Sequence, residues 1–283
     1  MIAVTGANGQ LGQLVLKALQ AKTPEETIVG LVRQQKNEEV VTSLGVEARH
    51  ADYNQPATVR DALIGVTKLL LISSSEVGSR ASQHKAVINA AKDSGVELLV
   101  YTSLLRADTS PMILAQEHKE TEQMIKDSGI QAVILRNGWY TENYTQGAAT
   151  AVATGAVVGA AGEGRLNTAS RVDYAEAAAV VLTTQGHAGK TYELAGDEAY
   201  TLADFAAEIA RQSGKPVQYQ NQSKESYLEF LTTVAGLPQP FAEILADSDA
   251  CAAEGALADS SKTLSKLIDR PATSLAESIS ASL

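Results

Sequence analysis

Apolar residues in the first half of the chain follow two alternating patterns. Short runs of consecutive apolar residues predict buried strands, and segments with an apolar residue every three or four positions predict helices. The predicted strands are Ile2 to Val4, Thr27 to Val32, Val46 to Asp52, Lys68 to Ile72, Leu98 to Ser103 and Ala132 to Arg136. The helices between them are predicted to begin near Leu11, Thr58 and Gln83, and a further one closes at Gly129. This alternation predicts an α/β fold with a doubly wound parallel sheet of the Rossmann type.

The pattern changes near Gly147, where alanine and glycine become frequent. The elements predicted beyond this point are a helix from Arg171, a strand from Thr191 to Gly196, a helix from Thr201 to Gln212, a strand from Val217 to Gln220 and mostly helix from Lys224 onwards. We therefore predict a nucleotide-binding domain over residues 1–146 and a smaller substrate-binding α/β lobe over residues 147–283. Strands of the second half are free to return to the main sheet.

The first predicted strand continues directly into three glycines and then into a helix. Gly6 permits a tight turn, Gly9 permits close approach of a phosphate, and Gly12 lets the helix pack on the strand. The start of that helix directs free N–H groups and the positive end of the helix dipole at one point, which suits a pyrophosphate. The predicted cofactor contacts in this turn are Gly6, Ala7, Asn8, Gly9, Gln10, Leu11 and Gly12.

The second predicted strand ends at Arg33, where an NAD-binding unit would place a carboxylate for the ribose 2′-hydroxyl. A guanidinium instead fits a 2′-phosphate, which a carboxylate would repel. A solvated arginine after a strand is the competing interpretation. At this position, after these glycines, we predict NADPH as the favoured cofactor and weaker binding of NADH.

Composition narrows the choice of partners. The chain has 33 acidic and 23 basic residues and a formal net charge of −10, and no basic cluster interrupts this pattern, so nucleic acid is not an expected partner. No apolar run approaches the roughly 20 residues of a membrane span, so membrane insertion is not expected. Cys251 is the only cysteine, and no histidines stand at metal-ligand spacing, so no metal site is expected. We expect a cytoplasmic protein and allow for a homodimer.

Ligands of doubly wound sheets bind beyond the carboxyl ends of the strands. Residues at those ends are therefore the candidates for the site: Asp52 and Tyr53 beside the adenine, Ser73, Ser74 and Ser75 along the ribose and phosphates, Thr102 and Ser103, and Asn137 to Asn143. For the serines, capping of the next helix is the competing interpretation.

Several of these segments together resemble one family, the NmrA-like atypical short-chain dehydrogenases. The segments are Gly6 to Gly12, Arg33, Ala51 to Tyr53, Ser73 to Glu76 and Leu135 to Tyr140. The serine run and the Asn137-Gly138-Trp139-Tyr140 stretch are more specifically similar to its type 2 NAD(P)H:quinone oxidoreductase branch. The resemblance covers essentially the whole chain and implies an NADPH-binding protein that reduces quinones without flavin. We also predict cofactor contacts at Gly138, Trp139, Tyr140, Thr141, Glu142 and Thr168.

The proton-donating pair of ordinary short-chain dehydrogenases, a tyrosine and a lysine four positions later, is missing. Leu114 and His118 stand at about those positions, and no tyrosine occurs between Tyr101 and Tyr140. Reduction of a carbonyl group creates a basic alkoxide that needs an acid nearby. A hydroquinone anion is far less basic, and water can protonate it. The missing pair therefore favours direct hydride transfer to a quinone, with His118 as a weak candidate for a proton donor.

Positioning of the reactants is assigned to residues just after the sixth strand. Asn137 can hydrogen-bond the nicotinamide carboxamide or a quinone oxygen, and Tyr140 can present a flat face to a flat substrate. Trp139 can also present a flat face to the substrate, and the competing interpretation is that it packs in the hydrophobic core. The alternative function is a redox-sensing regulatory protein that binds NADP without catalysis. A sugar-nucleotide or isoflavonoid-type reductase is disfavoured because the Tyr/Lys pair is missing.

Overall fold

The computed structural model describes all 283 residues as nine strands and thirteen α-helices. The strands are β1 (Ile2–Val4), β2 (Ile28–Val32), β3 (Glu47–His50), β4 (Lys68–Leu71), β5 (Leu98–Leu104), β6 (Gln131–Asn137), β7 (Ala156–Gly159), β8 (Thr191–Leu194) and β9 (Gln218–Asn221). The helices are α1 (Gln10–Lys22), α2 (Glu38–Thr42), α3 (Pro56–Ala62), α4 (Arg80–Asp93), α5 (Ala115–Ser128), α6 (Glu142–Thr145), α7 (Ala148–Thr154), α8 (Arg171–Thr183), α9 (Leu202–Ser213), α10 (Lys224–Thr233), α11 (Gln239–Ala253), α12 (Thr263–Ile268) and α13 (Leu275–Ser280). None of these helices is both long enough and apolar enough to span a bilayer.

The chain divides into two compact units that alternate along the sequence. Unit 1 consists of Met1–Asp108, Gln116–Asn137 and Arg171–Leu194, and unit 2 consists of Thr109–Ala115, Gly138–Ser170 and Ala195–Leu283. The chain passes from unit 1 to unit 2 directly after Asn137. The two predicted domains, with their boundary after residue 146, stay a prediction.

Unit 1 contains a seven-stranded parallel sheet with the strand order β3-β2-β1-β4-β5-β6-β8. The order reverses between β1 and β4, which makes the carboxyl ends of these strands the place where such sheets bind ligands. Every residue of β1 and β2 is buried, as expected for strands covered on both faces. The predicted doubly wound α/β fold is confirmed.

Unit 2 is built around a short parallel pair, β7 with β9. Thr201 forms a capping box with Asp204 at the start of α9, as its sequence position predicts. Helices α10 and α11 pack against each other, and their apolar residues Tyr227, Leu231 and Ala242 are buried in one cluster.

Some predicted boundaries are wrong for local reasons. β3 ends at His50 and not at Asp52, because the carboxylate of Asp52 accepts the N–H of Asn54 and the amide of Gln55 and so forms a turn. α4 begins at Arg80, three residues before the predicted start. β8 pairs with β6 and therefore belongs to the main sheet, a return that the sequence prediction allowed.

Candidate functional site

The turn between β1 and α1 has the geometry that its glycines predict. Gly6 has a φ of +58°, a left-handed conformation that favours glycine, and its carbonyl accepts the N–H of Gly9 at 2.9 Å. A Cβ on Gly12 would lie 2.3 Å from the carbonyl oxygen of Gly6, so glycine is required where α1 meets this turn. α1 begins at Gln10 with no side-chain cap and no acidic residue in its first turn. The first N–H groups of α1 therefore remain available to an anion.

Arg33 follows β2, and its guanidinium forms an ion pair with the carboxylate of Glu76, which follows β4. Both side chains are partly exposed, Arg33 at 51% and Glu76 at 38%. β2 and β4 are the two neighbours of β1 in the sheet. The ion pair therefore joins the loops on either side of the glycine turn.

Tyr53 lies beyond β3, half-buried, and its hydroxyl is hydrogen-bonded with Thr5 at the end of β1. Burial raises the pKa of Tyr53 to about 12, and the hydrogen bond with Thr5 and the charge of Arg33 offset only part of this effect. The Thr5 hydroxyl also accepts the backbone N–H of Ile72 at 2.9 Å. Through these two hydrogen bonds, Thr5 fixes the segments after β3 and β4 relative to the glycine turn. The phenol of Tyr53 beside Thr5 is neutral at neutral pH.

Side chains of α4 fix the loop after β4. The backbone N–H of Ser74 donates to Nε2 of His84 at 3.0 Å, and the Ser74 carbonyl accepts Nε of Arg80 at 2.7 Å. The Ser74 hydroxyl donates to Oε1 of Gln83 at 2.6 Å. Arg80, Gln83 and His84 are all buried. The conformation of the predicted ribose and phosphate loop is therefore imposed by the adjoining helix.

The neighbouring serine and threonine residues make different contacts. The N–H of Ser73 donates to the hydroxyl of Thr102 on β5 at 2.9 Å. Capping of α4 by the serine run is not observed, because Ser79 occupies the N-cap position. The hydroxyl of Ser103 donates to Glu122 on α5 at 2.5 Å. The Ser103 side chain is thus already bonded within unit 1.

Arg136 precedes Asn137 on β6 and binds three carboxylates. Its guanidinium lies 2.7 Å from Glu122, 2.8 Å from Glu193 and 3.0 Å from Asp108. The hydrogen bond to Glu122 is the largest of several effects that raise the pKa of Arg136 further above its usual value. This cluster ties β6 to α5 and β8 and so fixes the strand end that carries Asn137.

Asn137 ends β6 and is buried, with only 4% of its surface exposed. Its backbone carbonyl accepts the N–H of Leu105 at 2.9 Å. The side-chain oxygen Oδ1 is buried and has no hydrogen-bond partner in the protein. Because a buried carbonyl oxygen without a donor is unfavourable, Asn137 presents an acceptor that suits an N–H group of a ligand.

His118, the weak candidate for a proton donor, is buried and bonded through both ring nitrogens. Nδ1 lies 2.7 Å from the hydroxyl of Tyr101, and Nε2 lies 3.2 Å from Nη1 of Arg80. Because arginine only donates, Nε2 accepts and Nδ1 carries the proton. Burial lowers the pKa of His118 well below its usual value, and the charge of Arg80 lowers it further. His118 is therefore uncharged at neutral pH, its one ring hydrogen lies against Tyr101, and it is not suited to act as a general acid.

The remaining predicted residues belong to unit 2. The N–H of Thr141 donates to the carbonyl of Ala169 at 2.9 Å, and the N–H of Ala169 donates to that of Trp139 at 3.2 Å. The hydroxyl of Thr168 is bonded to Thr141 at 2.8 Å and to Tyr200 at 2.7 Å. Trp139 is buried, as its competing core role predicts. The structure thus brings together two predicted residues, Thr141 and Thr168.

The predicted residues that belong to unit 1 have the chemistry needed to bind a dinucleotide. A glycine turn with free N–H groups, an exposed guanidinium and a buried free amide acceptor lie at carboxyl ends of the parallel strands. Actual contact with a cofactor stays a prediction for every candidate, including those of unit 2: Gly138, Trp139, Tyr140, Thr141, Glu142 and Thr168. No group of three or more His, Cys, Asp or Glu side chains is arranged to hold a metal ion.

The sequence analysis missed the residues that support this edge of the sheet. They are the buried Arg80, Gln83 and His84 on α4 and the partly buried Glu122 on α5 and Arg136 on β6. The available signal was the spacing of Arg80, Gln83 and His84, three and four positions apart, which places them on one helix face.

These features define the class of protein. A doubly wound parallel sheet with a glycine turn after its first strand and a guanidinium after its second is a Rossmann-type dinucleotide-binding fold. The chain belongs to the NmrA-like family, whose model matches residues 1–279. The predicted family membership is thereby confirmed. The chain is 55% identical over 280 residues to quinone oxidoreductase 2 of Escherichia coli (strain K12), which covers 99% of this chain and 98% of that protein.

Two solved structures are similar over the full length. One is an NADPH-dependent quinone oxidoreductase of Escherichia coli complexed with NADPH, with a TM-score of 0.95, 54% identity and coverage of 99% of both chains. The other is the triphenylmethane reductase of Citrobacter sp. complexed with NADP(H), with a TM-score of 0.95, 39% identity and coverage of 100% of both chains.

Proposed function

We propose that this protein reduces quinones by direct hydride transfer from NADPH, without a flavin, as an NAD(P)H:quinone oxidoreductase. The observation that carries the proposal is Oδ1 of Asn137, a buried acceptor without a partner at the end of β6. A nicotinamide carboxamide has the N–H donor that this oxygen lacks. The full-length similarity to quinone oxidoreductase 2 supports the proposal independently.

The residues of unit 1 suit NADPH in particular. The N–H groups at the start of α1 would hold the pyrophosphate, and the guanidinium of Arg33 would hold the 2′-phosphate. NADH lacks that phosphate and is expected to bind more weakly. The similar Escherichia coli structure, which is complexed with NADPH, supports this assignment.

When bound, NADPH supplies the hydride, and the protein supplies position and environment. Asn137 orients the nicotinamide through its carboxamide, and the cluster around Arg136 keeps Asn137 in place. Tyr140, with Trp139, is the proposed positioning residue for the quinone. Exact placement of reactants is a large part of what such an enzyme contributes.

The structure offers no positioned acid at the place where short-chain dehydrogenases carry theirs. His118 is neutral and enclosed, and its neighbour Tyr101 is a buried phenol whose pKa is raised above its usual value by burial. A quinone suits this chemistry because its reduced anion needs no strong acid. A cationic triphenylmethane dye needs no proton at all, since hydride addition alone gives the neutral product. We therefore propose conjugated electron acceptors as the substrate class, with quinones first.

Steady-state oxidation of NADPH in the presence of a simple benzoquinone tests the proposal. Purified protein should show no flavin absorbance and should oxidise NADPH only when the quinone is present. NADH should give a lower kcat/KM. Tight NADPH binding without quinone-dependent oxidation would instead favour the redox-sensing regulatory alternative.

A further inference from the structure

The ion pair between Arg33 and Glu76 occupies the guanidinium to which the proposed function assigns the cofactor's 2′-phosphate. Half of the Arg33 side chain is exposed, so a ligand phosphate can reach it. The protein therefore already holds an anion of its own at this position.

The Glu76 carboxylate is held in place by a buried side chain. Nε2 of Gln83, a residue with 2% of its surface exposed, donates to Oε2 of Glu76 at 2.6 Å. Oε1 of the same Gln83 accepts the hydroxyl of Ser74 at 2.6 Å, and the Ser74 hydroxyl accepts the backbone N–H of Glu76 at 3.2 Å. One oxygen of Glu76 is thus bound to Gln83, and the other, Oε1, faces Arg33. This arrangement distinguishes the pair from two mobile surface charges.

We propose that Glu76 determines cofactor specificity by competing with the 2′-phosphate for the guanidinium of Arg33. The inference rests on the proposed function, because it requires a cofactor phosphate at Arg33. NADPH must displace the carboxylate or bind beside it. NADH has a hydroxyl at this position, so the ion pair stays intact when it binds. Glu76 therefore weakens NADPH binding, leaves NADH binding nearly unchanged and narrows the preference between them.

The expected size of the effect follows from the exposure of the pair. Exposed ion pairs contribute little, so removing this competitor should strengthen binding of a 2′-phosphate ligand roughly two- to fivefold. Glu76→Gln keeps the size of the side chain and an amide that can hydrogen-bond Gln83. It removes the charge and replaces the oxygen that faces Arg33 with an amide nitrogen, which does not attract a guanidinium.

Binding of two small ligands that differ only in the 2′-phosphate tests the inference without any turnover. Adenosine 2′,5′-bisphosphate and adenosine 5′-monophosphate are titrated calorimetrically into the wild type and into Glu76→Gln. The matched control is Glu97→Gln, which removes an equal charge from an exposed position just before β5, at the other end of the sheet. We expect Glu76→Gln to strengthen only the bisphosphate, and Glu97→Gln to change neither ligand.

A second background isolates the competition itself. In Arg33→Gln, the substitution Glu76→Gln should no longer change bisphosphate affinity, because the shared guanidinium is gone. Equal strengthening in both backgrounds would show a general charge effect and overturn the inference, as would an unchanged Glu76→Gln. If the wild type binds the bisphosphate no better than the monophosphate, the NADPH assignment fails, and this inference fails with it.

Discussion

Nε2 of His84 accepts the backbone N–H of Ser74 at 3.0 Å, so a side chain of α4 holds the loop that follows β4. The other ring nitrogen, Nδ1, lies 2.9 Å from the hydroxyl of Thr121, and that hydroxyl donates to the carbonyl of Glu117. Nε2 is therefore unprotonated and Nδ1 carries the hydrogen. A neutral histidine with this one tautomer fixes the proposed cofactor loop.

We predict that His84→Leu weakens both the fold and NADPH binding. The N–H of Ser74 would lose its acceptor in a partly buried position, which costs about 1–3 kcal/mol. Chemical denaturation should show a loss of that size, and fluorescence titration should show NADPH affinity reduced about tenfold. His187→Leu, which alters a histidine near β8, is the control and should bind NADPH normally. Normal NADPH affinity in a destabilised His84→Leu would mean that the contact supports only the fold.

Acid should destabilise the protein through His84. Burial, and then the charge of Arg80, lowers the pKa of His84 from 6.5 to about 3. Between these values the unfolded chain binds a proton that the folded protein does not, so the free energy of unfolding falls as the pH drops from 6.5 towards 3. His118 acts in the same direction. Each pKa unit of difference between the folded and unfolded states corresponds to about 1.4 kcal/mol in the free energy of unfolding.

Asp249 has the opposite effect on stability in acid, so the contribution of His84 must be isolated by comparing the wild type with a His84 variant. Burial raises the pKa of Asp249 from 3.8 to about 6, although it accepts the N–H of Ala160 and the hydroxyl of Tyr144. Through Asp249, the free energy of unfolding therefore falls as the pH rises from 3.8 to 6.

We predict that the difference in unfolding free energy between the wild type and His84→Gln shrinks as the pH falls below 6.5. A difference that does not vary with pH would contradict the assigned state of His84.

Arg33→Ala should change cofactor preference. The loss of a charge-assisted contact to the 2′-phosphate costs about 1.5–3 kcal/mol, which corresponds to roughly 10- to 150-fold weaker NADPH binding. NADH binding should be little affected. The measurement is the dissociation constant of each cofactor by fluorescence titration. Equal weakening of both would assign Arg33 a structural role and remove the main argument for NADPH.

Asn137→Ala should lower turnover strongly, whereas His118→Gln should hardly change it. Loss of the free amide acceptor should lower the quinone-dependent rate about 100-fold, because the nicotinamide is no longer positioned. His118→Gln should stay within a few-fold of the wild type, with a rate that depends little on pH around neutrality. A large loss of rate in His118→Gln, together with a pH profile that follows one group near a pKa of about 6.5, would contradict this prediction. It would support general-acid catalysis by His118 and reduction of a carbonyl substrate.

Local features of the sequence predicted the sheet and the glycine turn well. Buried parallel strands form continuous apolar runs, and the conformation of Gly6 depends on residues close to it in sequence. Helix α7 was missed because small residues in its Ala-rich stretch give no clear period, and α6 was missed because its four residues are too few to show one. The pairing of β8 with β6 was left open because periodicity does not identify a strand's neighbours.

The support of the site depends on long-range contacts that one sequence does not reveal. Arg80 and His118 are charged or titratable residues on helices, and such residues usually face solvent. Here they are buried against each other across 38 positions of the chain. The ion pair of Glu76 with Arg33 was hidden for the same reason, since the two residues meet only when β2 and β4 lie on either side of β1.

The most direct test of hydride transfer from a positioned nicotinamide uses NADPH that carries deuterium on one or the other face of its reactive carbon. After turnover with a benzoquinone, mass spectrometry of the recovered NADP⁺ shows which label was removed. Because Asn137 is proposed to fix the orientation of the ring, we predict that one label is removed completely and the other is retained. Equal removal from both faces, or no NADP⁺ formed beyond that in a mixture without protein, would contradict this account.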